Sequence, residues 1–177
     1  MRRFTTMLLT ALAIGLLPSG AAAITSKELR TIHPEGRASQ RGIGPARLEQ
    51  TQAAVTAELG PGLLTEPTST EGGETYSGYR YDAAGITIEV VYCNAVVCGV
   101  TTKSPGAIMF GHPLRDGLAT FRRLLEHRPH WHIDSCHHHV YTALAPGGPG
   151  TGIEWRAGRV NLVMIDAGGV LDDCAVL

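Results

Sequence analysis

Basic residues are in no excess in this 177-residue chain, which carries 15 lysines and arginines against 16 aspartates and glutamates. That balance gives it no electrostatic footprint for nucleic acid or for an anionic membrane surface. Long hydrophobic runs are missing too. The longest, residues 7–17, falls short of the roughly 20 apolar residues that a spanning helix requires. Catalytic signatures are equally scarce: there is no Gly-x-Ser-x-Gly elbow, no phosphate-cradling Gly-x-x-x-x-Gly-Lys-Ser/Thr loop and no His-Glu-x-x-His pair. Ser135, Cys136 and His137 are sequence neighbours, whereas working triads are assembled in space. No catalytic residue is therefore assigned, and a small secreted hydrolase is the most distant of the functional readings.

What is present begins with an export pattern. Arg2 and Arg3 precede the apolar run, Pro18, Ser19 and Gly20 break it, and Ala21, Ala22 and Ala23 supply the small residues that a signal peptidase reads. Residues 1–23 are expected to be a cleaved signal peptide that leaves a soluble periplasmic or secreted protein. The absence of cysteine near the cleavage site argues against a lipid anchor, so no stable membrane attachment is expected after cleavage. Phe4 directly follows the arginine pair, which favours general secretion over a twin-arginine route.

In an oxidising compartment, the four cysteines Cys93, Cys98, Cys136 and Cys174 are read as two disulfides. Of three connectivities, Cys93 with Cys98 and Cys136 with Cys174 is favoured, the first inside a hairpin and the second tying down the C-terminal segment. The first pairing carries a tension. A two-residue turn at Asn94 and Ala95 sets Cys93 opposite Val96 and Cys98 opposite Val91, and only a four-residue loop sets the cysteines face to face. A reactive thiolate is the alternative, but no acid–base partner flanks either site.

Residues 24–41 are polar and aperiodic and predict a flexible leader. Residues 42–177 predict one globular domain made of two parts, about 42–105 and 106–170. In the first, Leu48, Val55 and Leu59 recur at helical spacing, with Thr51 as N-cap and Gly60 followed by Pro61 as the stop. Alternation at Tyr79 and Tyr81, then at Ile86, Ile88, Val90 and Tyr92, and then over 96–102, predicts three strands. The second part repeats the order: Leu114, Leu118, Phe121 and Leu125 on a helix behind Asp116 as N-cap, then strands at 140–144, 153–156 and 159–165. Aligning Leu48 with Leu114 also brings Val55 onto Phe121 and Leu59 onto Leu125, and Asn94 and Ala95 fall, slightly shifted, on the turn at Ala157 and Gly158. The fold class expected is α+β: two tandem repeats of one helix followed by a three-strand antiparallel meander, stabilised by disulfides.

This layout, with Ile43-Gly44-Pro45-Ala46-Arg47-Leu48 leading into Thr51-Gln52-Ala53-Ala54-Val55, resembles secreted modules of the BamE/SmpA type. Its tandem arrangement resembles the proteinaceous β-lactamase inhibitors. The resemblance implies a non-catalytic scaffold that holds no cofactor and whose partner is another extracytoplasmic protein. Nothing in the chain matches an inhibitor's contact residues, so the partner's identity does not carry over.

Six of eight histidines fall between His127 and His139. Imidazole is the commonest metal ligand, and in an extended segment His130 and His132 share one side, as do His137 and His139. The alternative function is accordingly a periplasmic metal-binding protein holding Zn, Cu or Ni through these four side chains, with Asp134 as a further ligand or as an orienting group. The same imidazoles would titrate together as a pH sensor, and the cluster also reads simply as an exposed connection rich in histidine.

Overall fold

The computed structural model describes residues 24–128, 131–133, 140–144 and 150–167. The first half runs α1 (Ser26–Leu29), β1 (Thr31–His33), β2 (Gly42–Ile43), β3 (Ala46–Arg47), α2 (Gln52–Leu59), β4 (Leu63–Glu71), β5 (Glu74–Ala83), β6 (Ile86–Cys93) and β7 (Val96–Thr102). The second runs β8 (Ile108–Met109), β9 (His112–Pro113), α3 (Leu118–Leu125), β10 (Trp131–Ile133), β11 (Val140–Leu144), β12 (Gly150–Arg156) and β13 (Arg159–Asp166). Eight strands form one antiparallel sheet in the order β10-β11-β12-β13-β7-β6-β5-β4. The short strands form a second sheet, β3-β2-β1-β8-β9, in which β1 and β8 are the parallel pair.

The expected fold class is overturned. The protein is mostly β, and neither half is a helix with a three-strand meander: four strands follow each helix, and all eight join one sheet. The added strands are β4, which the sequence presents as a polar loop, and β10, inside the histidine-rich stretch. β4 escapes a periodicity reading because all nine of its residues are exposed, so neither face needs apolar side chains. The small sheet escapes because strands of two or three residues are too short to show a period. Residues 24–41 are not a bare leader either, since they supply α1, β1 and a 3-10 turn at Ala38–Gln40, and β1 sits at the centre of the small sheet.

The helices form where expected. Thr51 caps α2 by accepting the Ala54 N–H at 3.2 Å, and Gly60 ends it at φ 83°, a conformation open to glycine. Asp116 does not cap α3; it closes a 3-10 turn, Leu114–Asp116, and Gly117 precedes the helix. Each helix buries one narrow apolar edge, Val55 in α2 and Phe121 with Leu125 in α3. These side chains join Ile86, Ile88, Val90 and Tyr92 of β6, Val97 and Val100 of β7, and Ile153, Val163 and Ile165 of β12 and β13 in one core. Because strand side chains alternate, the same strands turn Thr87, Glu89, Val91, Thr101 and Met164 to the other, outer face.

Two constant offsets relate the halves. At an offset of 66, the Leu48 N–H donates to the Arg41 carbonyl at 2.9 Å and the Leu114 N–H to the Ala107 carbonyl at 2.8 Å. At the same offset the first helical N–H, of Gln52 or Leu118, donates to a hairpin tip, the carbonyl of Ala95 at 2.9 Å or of Gly158 at 3.0 Å. The hairpins themselves are offset by 63. Asn94 and Ala95 make a turn at φ 51° and 63°, and Ala157 and Gly158 one at 50° and 75°, both left-handed pairs that suit the twist of the flanking strands.

Candidate functional site

The β6–β7 hairpin resolves the cysteine tension. Asn94 and Ala95 do form a two-residue turn, and Cys93 does face Val96, but a register shift pairs Tyr92 with Val97 and Val91 with Gly99. Cys98 is thus an extra residue in a β-bulge, and the bulge re-aims its side chain. Cys93 and Cys98 are joined by a disulfide with a Cα–Cα separation of 5.6 Å. Such a bridge fits a chain that folds in an oxidising compartment. Asn94 fastens the tip further, its Oδ1 accepting the Thr75 N–H at 3.0 Å.

Beside this bridge, on the outer face, lies a depression of about 510 Å³ whose lining includes Val91, Gly99, Thr101, Met164, the two half-cystines, Glu74, Tyr76 and Asp166. The Tyr76 hydroxyl donates to Glu74 Oε2 at 2.7 Å, and that hydrogen bond is the chief reason its pKa lies above the usual phenol value. Thr101 Oγ1 donates to Glu89 Oε2 at 3.3 Å. Tyr79 and Tyr81, the alternating pair of β5, pack on the core side. Tyr79 meets Tyr92 edge-on at 5.7 Å, and the Tyr81 and Tyr92 hydroxyls are 2.8 Å apart. Burial, reinforced by that hydrogen bond, raises the Tyr92 pKa far above a free phenol, so it stays neutral.

Two polar clusters hold residues 24–41 to the body. Glu28 accepts Arg47 Nη2 at 2.8 Å and lies 3.1 Å from His33 Nε2. Burial, then the Arg47 charge, lowers the His33 pKa against the opposing pull of Glu28. A folded-state histidine pKa below 6.5 means that the unfolded chain takes up a proton first as the pH falls. The stability His33 contributes is therefore complete above pH 6.5 and is lost as the pH drops through the lower folded-state value. Thermal unfolding should show a steeper decline below pH 6.5 in the wild type than in His33→Gln, and parallel curves would refute this role.

In the second cluster the Glu35 carboxylate accepts Arg128 Nη1 and, at 3.0 Å, Trp131 Nε1. The Arg128 guanidinium lies 3.9 Å from the centre of the Phe110 ring, which meets Trp131 edge-on at 6.1 Å. Sequence reasoning missed this clamp, because Glu35 and Arg128 are 93 residues apart and no local pattern links them.

Of the two tryptophans, Trp155 is in the core and Trp131 is in the clamp. His132 lies in β10, in register with Thr142 of β11. His130, His137, His139, Asp134, Cys136 and Cys174 lie outside the described residues. Among the described residues, no group of three or more histidine, cysteine or acidic side chains is placed to hold a metal, and no helix is long and apolar enough to cross a membrane. Compared with known proteins, the chain matches no family model, and no curated protein or solved structure is significantly similar to it.

Proposed function

We propose that this chain is a secreted or periplasmic, non-catalytic module that binds another extracytoplasmic protein through the outer face of its large sheet. One observation carries the reading. Over β5, β6 and β7 the inner positions are sealed in the core, while the outer ones present an apolar depression beside a rigid bridged hairpin. A depression on regular strands is a preorganised surface, and preorganisation lowers the entropy lost on association. The export pattern of residues 1–23 and the Cys93–Cys98 bridge support the compartment. The matching offsets of the helices and hairpins support an origin by internal duplication, with the bridge a feature of one half.

Site-specific photo-crosslinking tests the binding reading. A benzophenone residue placed at Thr101 on the outer face should give a discrete adduct in periplasmic extract of the producing cell. One at Glu58, exposed on α2, should not. Equal adducts from both positions, or none from Thr101, would refute it.

A further inference from the structure

The β6–β7 hairpin recurs in the second half of the chain, and the recurrence shows what its disulfide is not needed for. At the offset of 63 the two hairpins match pair by pair. In the first, Val91 faces Gly99 and Tyr92 faces Val97; in the second, Glu154 faces Leu162 and Trp155 faces Val160. The register shift falls at the same place in both, so Asn161 is the extra residue of the second bulge as Cys98 is of the first. Both tips also accept the first helical N–H, Ala95 that of Gln52 at 2.9 Å and Gly158 that of Leu118 at 3.0 Å. Yet Arg156 and Asn161 stand where the first hairpin has Cys93 and Cys98. Turn, bulge and helix contact all form there without sulfur. The bridge therefore stiffens a hairpin whose shape does not depend on it.

Three further features suit that bridge to exchange. Both half-cystines line the outer-face depression and neither is fully buried, so an attacking thiolate has a path that leaves the sheet closed. Accessible bridges of this kind are the labile ones. Only five positions separate the cysteines, so opening the bridge frees little chain entropy, and the same shortness keeps the two thiols together afterwards. Cys98 Sγ lies 3.5 Å from the Val91 carbonyl oxygen, an acceptor for the thiol that opening creates. The lack of an acid–base partner in the chain is no obstacle, because the attacking thiolate belongs to the reductant. We propose that Cys93–Cys98 is a thiol-exchange site, opened by a dithiol reductant and reclosed by a disulfide oxidant while the protein stays folded. One thiolate of the reductant attacks a sulfur of the bridge and forms a mixed disulfide, and the other bridge sulfur leaves as a thiolate and takes a proton from water. The reductant's second thiolate then displaces the remaining cysteine and closes the reductant's own disulfide. Two electrons pass to the bridge, leaving Cys93 and Cys98 as thiols, and reclosure is the reverse. The site goes beyond the binding reading and does not depend on it.

The probe is dithiothreitol, added to the purified protein at fixed pH. Samples are trapped by alkylation at intervals and mapped by mass spectrometry, so that Cys93 and Cys98 are read apart from Cys136 and Cys174. The rate of opening should rise in proportion to dithiothreitol. It should change by less than ~2-fold in ~1 M urea, whereas a bridge reached only through unfolding would open at least ~5-fold faster there. The reduced protein should keep the amide protection of β12 and β13, and oxidised glutathione should join Cys93 to Cys98 again. A rate that saturates with dithiothreitol, a jump in urea, loss of that protection or failure to reclose would overturn the proposal. Arg156→Cys with Asn161→Cys tests the premise separately. That pair should bridge across the second bulge as the native pair does across the first, and a pair that stays reduced under the same oxidant would overturn the equivalence and the proposal with it. The Thr101 crosslink is read without reductant, so its failure would remove the binding reading and leave these rates as they are.

Discussion

Phe121→Ala is expected to destabilise the protein by about 3–5 kcal/mol, the range for removing a fully buried aromatic ring. Phe121 has no exposed surface and is the largest side chain that either helix puts into the core. α3 has only eight residues and its N-cap, Gly117, has no side chain to cap with, so packing rather than capping holds it in place. Val55→Ala at the matching position of α2 should cost less, about 2 kcal/mol, because a smaller side chain leaves a smaller cavity and Thr51 still caps the helix. Urea unfolding would show both as shifts in midpoint at constant slope. A Phe121→Ala cost near or below that of Val55→Ala would mean that α3 is not held by its buried edge.

Replacing the bridge, as Cys93→Ala with Cys98→Ala, should cost about 2 kcal/mol, the loop-closure value for so short a loop. Five positions separate the two cysteines, so little chain entropy is at stake, and the larger consequence is local. The hairpin tip is the support of α2: Gln52 N–H donates to Ala95 at 2.9 Å, Val97 N–H to Gln50 at 2.8 Å and Glu49 N–H to Val97 at 3.0 Å. Without the bridge, the amides of Gln52 and Val97 should exchange faster in hydrogen exchange, while those of β12 and β13 stay protected. Reduction of the wild type should reproduce the pattern. Uniform acceleration, or none, would show that the bridge does not fix the tip.

How far the sequence could be read depended on how many faces of an element are buried. β6 was legible because one face is in the core and the other faces out, giving strict alternation from Ile86 to Tyr92. β4 was not, since a strand exposed on both faces has no hydrophobic pattern to display. The helices were legible from Val55, Leu59, Phe121 and Leu125, yet the same spacing placed the α3 cap one residue early, on Asp116 instead of Gly117. Of the candidate site, the cysteine pair was visible in the sequence and the bulge that permits the pairing was not, because a register shift belongs to two strands at once. The depression was invisible. Glu74, Val91, Gly99 and Met164 come from four strands, and only pairing brings them side by side.

The sequence by itself determined the export pattern, the near-neutral charge, the two helices, the alternating strands and the hairpin that holds Cys93 and Cys98. These follow from short-range rules, in which propensity and burial act over a turn or a strand. Tertiary structure alone decided that the strands join into one eight-stranded sheet, that residues 24–41 are built into the body through Glu28 and Glu35, and that a depression forms on the outer sheet face beside the bridge. Those outcomes depend on contacts between residues far apart in the chain, such as Glu35 with Arg128, and a local pattern does not encode which distant partner an edge or a carboxylate will meet.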